Sequence, residues 1–260
     1  MITCPQSFAI DFHCHTNFSK DCVMPVMRVL RRARRIGLAG IAITDHDTEE
    51  GGLAARELNP YPDLLVIPGV EIKTDRGDLI GLYISRPIRS RRFEEVIEQI
   101  AAQNGFTYLP HPLRTFGRDK TLEVFRQFPL MDAWEVLNGR YRDAEAAQAP
   151  KLFEQAGVRN ILAGSDAHVP WDLGTVFTLL AGPPTSAAAL RELVAAGAVG
   201  IRKNRNAVGL AAGIFAGSLT AALKTRHYRK ALRQVAELPA RGARYIGRVL
   251  AKDRPPRPLQ

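Results

Sequence analysis

Cysteine is scarce in this 260-residue chain: Cys4, Cys14 and Cys22 are the whole set. An odd, sparse group near one end excludes a disulfide framework and points to a reducing compartment. The opening MITCPQSFAI lacks the basic stretch leading into an apolar one that marks a secretory leader. A cytoplasmic location is therefore expected, peripheral to a membrane at most. No repeat of fixed period recurs. Long apolar runs are missing as well. The candidate, AVGLAAGIFAGSLTAAL at 207–223, is rich in Gly and Ala and falls short of the roughly 20 strongly apolar residues of a membrane span. It reads better as a helix packed on the main domain or in a dimer.

Acidic residues are nearly absent from 205–260, where Glu237 and Asp253 face 12 Lys and Arg. The remaining 204 residues balance 24 basic against 24 acidic side chains, so the net charge of +10 belongs entirely to this extension. Its KTRHYRKALRQVAEL reads as a basic amphipathic helix, and DRPPRPLQ as a disordered end. Two domains are expected, at 1–204 and 205–260.

Over the first 204 residues, short apolar strands alternate with helical patterns. FAIDF, LAGIAIT, LLVIPGV, LIGLYI, FTYLP, DAWEVLN, NILAGS and AVGI read as strands. PVMRVLRRARRIG, RRFEEVIEQIAAQNG, LEVFRQF, DAEAAQAPKLFEQAG and SAAALRELVAAG read as helices, four of them ending on Gly. Such alternation predicts parallel βα units, in an open doubly wound sheet or in a barrel.

Five of the six histidines fall at strand ends: His13 and His15, His46, His111 and His168. Glu71 and Asp166 end strands too, and His227 alone lies in the basic extension. Ends of parallel strands converge on one face. Side chains alternate with period two, so His13 and His15 share a side while Cys14 points the other way. Asp166 and His168 are aligned in the same manner. Imidazoles and carboxylates gathered so closely need a cation to neutralise them. The mixed N/O donor set suits zinc, manganese or iron, and the number of donors suits two or three ions. Taken singly, each residue has a plainer reading: a strand-end His as a hydrogen-bonded residue, Asp45 as a helix cap, Glu71 as an arginine partner.

DFHCHTNFSKD, ITDHDT, PGVEI, the HP of YLPHP and GSDAH, in this order over roughly residues 8–204, resemble the motifs of the PHP (polymerase and histidinol phosphatase) domain family. The resemblance implies a distorted seven-stranded β/α barrel and metal-dependent phosphoester hydrolysis with two or three manganese, zinc, iron or magnesium ions. It implies one ion on His13, His15, Glu71 and Asp166, a second on Asp21, His46 and His168, and a third on Glu71, His111 and one further group. Two departures stand out. Asp78 occupies a position where family members often have His and can still ligate as a carboxylate, and Asp21, kept as a ligand, sits one residue later than in the common S-D-G pattern, in S-K-D.

Arg114, three residues past His111, is the candidate phosphate clamp; an exposed loop arginine is the alternative. Arg89, Arg91 and Arg92 fit a solvated helix start better. Asp45 and Asp47 flank His46, as carboxylates orienting its ring or as caps. The expected function is hydrolysis of a phosphate ester of a small metabolite or nucleotide. One alternative is a nuclease holding single-stranded nucleic acid through 205–260. The other is a non-catalytic metal-binding module docked by that segment on an anionic membrane or a partner.

Overall fold

The computed structural model describes residues 7–128, 131–197 and 200–203. The basic helix and the disordered end expected in 205–260 lie outside these residues, as does the apolar helix expected at 207–223. Nine strands form one sheet: β1 (Phe8–Cys14), β2 (Gly40–Ile43), β3 (Leu65–Thr74), β4 (Gly77–Leu82), β5 (Phe106–Leu109), β6 (Ala133–Asn138), β7 (Ile161–Gly164), β8 (Val176–Leu180) and β9 (Gly200–Lys203). The order across it is β7-β6-β5-β4-β3-β2-β1-β8-β9. The sheet curls until the segment after β7 bridges β1 at Cys14 and Ala167. Asp166 N donates to the His13 carbonyl at 2.8 Å and His15 N to the Ala167 carbonyl at 3.0 Å. Strands β1 to β7 therefore close a ring, while β8 and β9 continue from the first half of β1. This is the distorted seven-stranded β/α barrel that the motifs imply.

The helices are α1 (Val26–Arg35), α2 (Glu50–Leu58), α3 (Phe93–Ala101), α4 (Pro112–Gln127), α5 (Asp143–Gln155) and α6 (Ala187–Ala195). Their apolar faces bury three clusters against the sheet. Val29, Leu30 and Ala33 of α1 pack with Ile41 and Ile43. Phe93, Val96 and Ile100 of α3 join Phe125, Trp134 and Phe153. Leu190 and Val194 of α6 meet Ile10, Phe12, Leu82 and Phe106. No helix among the described residues is long and apolar enough to cross a membrane.

Three elements differ from the sequence reading. Helix α2 carries the low-propensity pair Gly51 and Gly52, but these bring it against β3: a Cβ at Gly52 would stand 2.8 Å from Pro68 Cα. Strand β8 is not among the expected strands; its buried face includes Thr178, whose hydroxyl exchanges hydrogen bonds with Ala163 of β7. Strand β4 runs antiparallel to both neighbours. Only a tight turn separates it from β3, leaving no room for a crossover helix. Its reversal sets the start of β4, with Asp78 opposite Lys73, beside the end of β3.

Closure of the ring demands glycine at position 164. A Cβ there would lie 2.4 Å from His13 Cβ and 2.6 Å from His13 N. Gly164→Ala is predicted to lower unfolding free energy by about 2 kcal/mol, the cost of forced overpacking against backbone. Denaturant unfolding of the metal-free protein measures this, and an unchanged midpoint would show that β1 and β7 do not meet so closely.

Candidate metal centre

Strand β1 delivers His13 and His15 to the same side, both buried, with their Nε2 atoms 3.1 Å apart. The loop after β2 is stitched to β3 by Asp47 N to the Glu71 carbonyl at 2.9 Å and Glu71 N to the Asp45 carbonyl at 3.1 Å. This pairing seats His46 beside Glu71. Asp47, His111 and Asp166 all have positive φ, at 61°, 32° and 52°. Each such residue costs on the order of 1–3 kcal/mol, here offset by backbone bonds such as His111 N to Glu135 Oε2 at 2.7 Å.

Two carboxylates organise the imidazoles. Glu71 Oε2 lies 3.2 Å from His13 Nε2, 3.3 Å from His15 Nε2 and 3.3 Å from His46 Nδ1. Glu71 Oε1 lies 3.0 Å from His111 Nε2. Asp166 Oδ1 lies 3.4 Å from His15 Nε2 and 3.5 Å from His168 Nδ1. Burial alone would raise the Glu71 carboxyl, but His13, His46 and His111 hold it well below the usual carboxylate range. Burial is likewise overcome at Asp166 by His13, Arg114 and Arg140. Burial opposes charge on His13, yet Asp166, Glu71 and Glu135 raise its pKa well above the usual value.

Nine of the sequence-predicted residues meet at this end of the barrel. The displaced Asp21 reaches it: Oδ2 lies 3.1 Å from His168 Nε2 and 3.5 Å from His46 Nε2. Asp78 Oδ2 is 4.0 Å from His111 Nε2. Arg114 donates to Asp166 Oδ2 at 3.0 Å from the first turn of α4. Asp45 serves differently, accepting from Thr16 N and Thr16 Oγ1, each at 2.6 Å; it pins the loop after β1 and bonds neither the His46 ring nor a helix end. Asp47 pairs with Arg91 at 3.2 Å. Cys14 is buried in an apolar cluster, while Cys22 Sγ donates to the His168 carbonyl at 3.3 Å.

Sequence reasoning missed Glu135 and Arg140. Glu135 is fully buried on β6. It accepts from His13 Nδ1, the Tyr108 hydroxyl, His111 N and Asn138 Nδ2. Its signal was a lone acid inside the apolar strand AWEVLN. Arg140 Nη1 lies 3.1 Å from His168 Nδ1 and 3.7 Å from Asp166 Oδ1.

These donors fit a divalent metal centre. Because a carboxylate only accepts, Glu135 fixes the His13 proton on Nδ1 and turns the Nε2 lone pair toward the cluster, the arrangement usual for a metal-bound imidazole. Asp21 Oδ1 is buried with no hydrogen-bond partner, which a cation would satisfy. Four triads have ligand atoms within 4.8 Å of one another: His15, His46 and His168; His13, His15 and Glu71; His13, His111 and Asp166; Glu71, Asp78 and His111.

Residues 11–155 match the PHP domain family, and residues 158–199 match the PHP-associated family. The chain belongs to the PHP domain family. An uncharacterized protein of Methanocaldococcus jannaschii is 32% identical over 144 residues, 51% of this chain and 83% of that protein. This PHP chain also shares its fold with a two-domain protein of Bacteroides vulgatus containing a predicted PHP-like metal-dependent phosphoesterase, at 20% identity and TM-score 0.58. The match covers 73% of this chain and 62% of that protein's length. PsfC of Pseudomonas syringae is 17% identical with TM-score 0.58, covering 84% of this chain and 99% of PsfC.

Two predictions follow from the PHP centre's electrostatics. Burial disfavours charge on His15, but Asp166 and Glu71 raise its pKa to about 9. A raised pKa stabilises the metal-free fold fully below the unfolded value of about 6.5, and that contribution is lost as pH rises toward 9. A cation must displace the same proton. His168 is pushed down to about 4 by burial, His15 and Arg140, and stays neutral throughout this interval. The rise in unfolding temperature on adding Mn²⁺ should therefore widen from pH 6.5 to 8.5 relative to EDTA-treated protein. A constant difference would show that the His15 proton does not compete. Glu135→Gln should weaken Mn²⁺ binding about 10–100-fold by releasing the His13 ring, measured by calorimetry on the purified protein.

Proposed function

We propose that this chain is a metal-dependent phosphoesterase acting on the phosphate ester of a small metabolite or nucleotide. The observation that carries the reading is the convergence of five imidazoles, Glu71 and Asp166 with two arginine side chains at the same rim. One ion would be held by His13, His15, Glu71 and Asp166, a second by Asp21, His46 and His168, and a third by Glu71, Asp78 and His111. When bound, such ions supply Lewis acidity and make water a competent nucleophile at neutral pH.

The chain's own residues do the rest. Guanidinium presents five N–H donors in a planar fork, so the bond from Arg114 to Asp166 leaves donors for phosphoryl oxygens. Arg140 stands on the other side of Asp166, reaching from the loop after β6. Together they would hold two phosphoryl oxygens and stabilise the charge that builds on them as the ester bond breaks. Glu135 keeps the His13 proton on the ring nitrogen remote from the reaction. The backbone pairing of His46 to Glu71 keeps two donors in register across separate strands. The carboxylate of Asp166 is shared by His15 and both arginines, which links the phosphate-binding side to the metal-binding side.

Hydrolysis of p-nitrophenyl phosphate should vanish after chelation and return with Mn²⁺ or Zn²⁺. His13→Ala and Asp166→Ala should each lower kcat by about 100-fold or more, and Arg140→Met by about the same factor as loss of one oxyanion donor. Full activity in the His13 or Asp166 variant, with the metal removed, would defeat the reading.

A further inference from the structure

Large apolar side chains are well covered in this fold. Among the described residues, Phe18, Val23, Leu58 and Trp171 are the exposed ones. Three of these four lie within three positions of Asp21 or His168 in the sequence. Phe18 and Val23 belong to the loop after β1 that carries Asp21. Trp171 belongs to the turn after β7 that carries His168.

The two loops are joined at their bases. Asp21 Oδ2 meets His168 Nε2 at 3.1 Å, and Cys22 Sγ bonds the His168 carbonyl at 3.3 Å. Each loop is also held rigid. Asn17 N donates to the Met24 carbonyl at 2.8 Å, closing the first, and Asp172 N donates to the Val169 carbonyl at 3.1 Å within the second. Gly174 N, donating to the buried Asp11 carboxylate at 3.1 Å, anchors the far end of that turn. Phe18 and Trp171 are 41% and 42% exposed on these supports. Exposed aromatics scattered singly mean little, but two on joined loops that each carry a residue of a polar site mark contact surface.

Resting on the phosphoesterase reading, we propose that Phe18 and Trp171 form a stacking platform selecting substrates whose alcohol portion carries a planar ring. The phosphoryl end would lie toward Arg114 and Arg140 on Asp166, and the ring over the loops after β1 and β7. Stacking on an aromatic side chain is tolerant of ring identity, so a nucleobase and a phenol share the required chemistry.

Nucleoside 5′-monophosphate, phosphotyrosine and glycerol phosphate separate the sources in steady-state assays with Mn²⁺. Trp171→Ala and Phe18→Ala should each raise KM for a ring-bearing ester by about tenfold, the scale of one stacking contact. Glycerol phosphate should change less than about twofold, and Trp171→Phe should restore most of the loss. Whichever ring ester loses more identifies the ring. Equal losses on all three esters, or no loss on any, overturns the proposal. Binding gives a second readout that does not need turnover, because Trp134 is buried and Trp171 is not. A nucleoside monophosphate or phosphotyrosine should quench tryptophan emission in the intact protein but not in Trp171→Phe. If no ester is hydrolysed while this quenching persists, the phosphoesterase reading fails and the platform stands; absence of quenching removes the platform alone.

Discussion

Two imidazole nitrogens facing each other at 3.1 Å set the terms for the whole active end of the barrel. Glu135 holds the His13 proton on Nδ1, so the neutral ring points a lone pair at His15 Nε2. Such a contact is repulsive unless a proton or a cation lies between. Protons resolve it in the metal-free protein, with Glu71 and Asp166 supplying the negative charge that draws them in. A cation resolves it for all the donors at once. The buried carboxylates have the same logic in reverse, since neither could remain ionised so far from water without positive charge alongside. His168 shows both solutions in one residue. With the proton on Nδ1 it donates to the Asp166 carbonyl at 2.9 Å and leaves Nε2 for a cation; with the proton on Nε2 it donates to Asp21 and accepts from Arg140.

The barrel exists to deliver these groups against that repulsion. The donors come from six strands or the loops that follow them, so the cost of gathering them is borne by the closed sheet and its apolar clusters. Local flexibility contributes little. Positive φ at Asp47, His111 and Asp166 shows where the chain is bent to finish the job, and each bend is held by its own backbone N–H, donating to the Glu71 carbonyl, the Glu135 carboxylate and the His13 carbonyl. Reversal of β4 belongs to the same economy of placement. A parallel strand after β3 would have put Asp78 at the far end of the barrel. A hairpin puts it 4.0 Å from His111.

What was legible beforehand follows a physical line. Period-two alternation and strand-end position marked His13, His15, His46, Glu71, His111, Asp166 and His168, because those signals are local in sequence. Strand direction is not local: LIGLYI looks the same whether its neighbours run with it or against it. Glu135 and Arg140 were missed because their roles lie entirely in partners far along the chain, His13 being 122 residues from Glu135. Helix α2 was hidden by Gly51 and Gly52, whose poor helix propensity is overridden by tight packing on β3. Asp45 was read from its neighbour His46, yet its carboxylate is directed at Thr16, 29 residues back.

Asp21 shows why a one-residue displacement can be absorbed at this site. Were the loop after β1 registered from the strand end, moving the acid by one position would swing it away from the cluster. Instead the loop is held on its far side, by Asn17 N to the Met24 carbonyl and by Cys22 Sγ to the His168 carbonyl at 3.3 Å. Position 21 is thus fixed through Cys22, whose Sγ faces the His15 carbonyl at 3.4 Å as well as that of His168, and so relative to both strand ends. The acid reaches both His46 and His168 while its Oδ1 is buried and without a hydrogen-bond partner. The same anchoring leaves Phe18, on the near side of the loop, turned out to solvent. Ligand placement and aromatic exposure are two consequences of one loop geometry, which the Cys22 thiol ties to the strand end after β7.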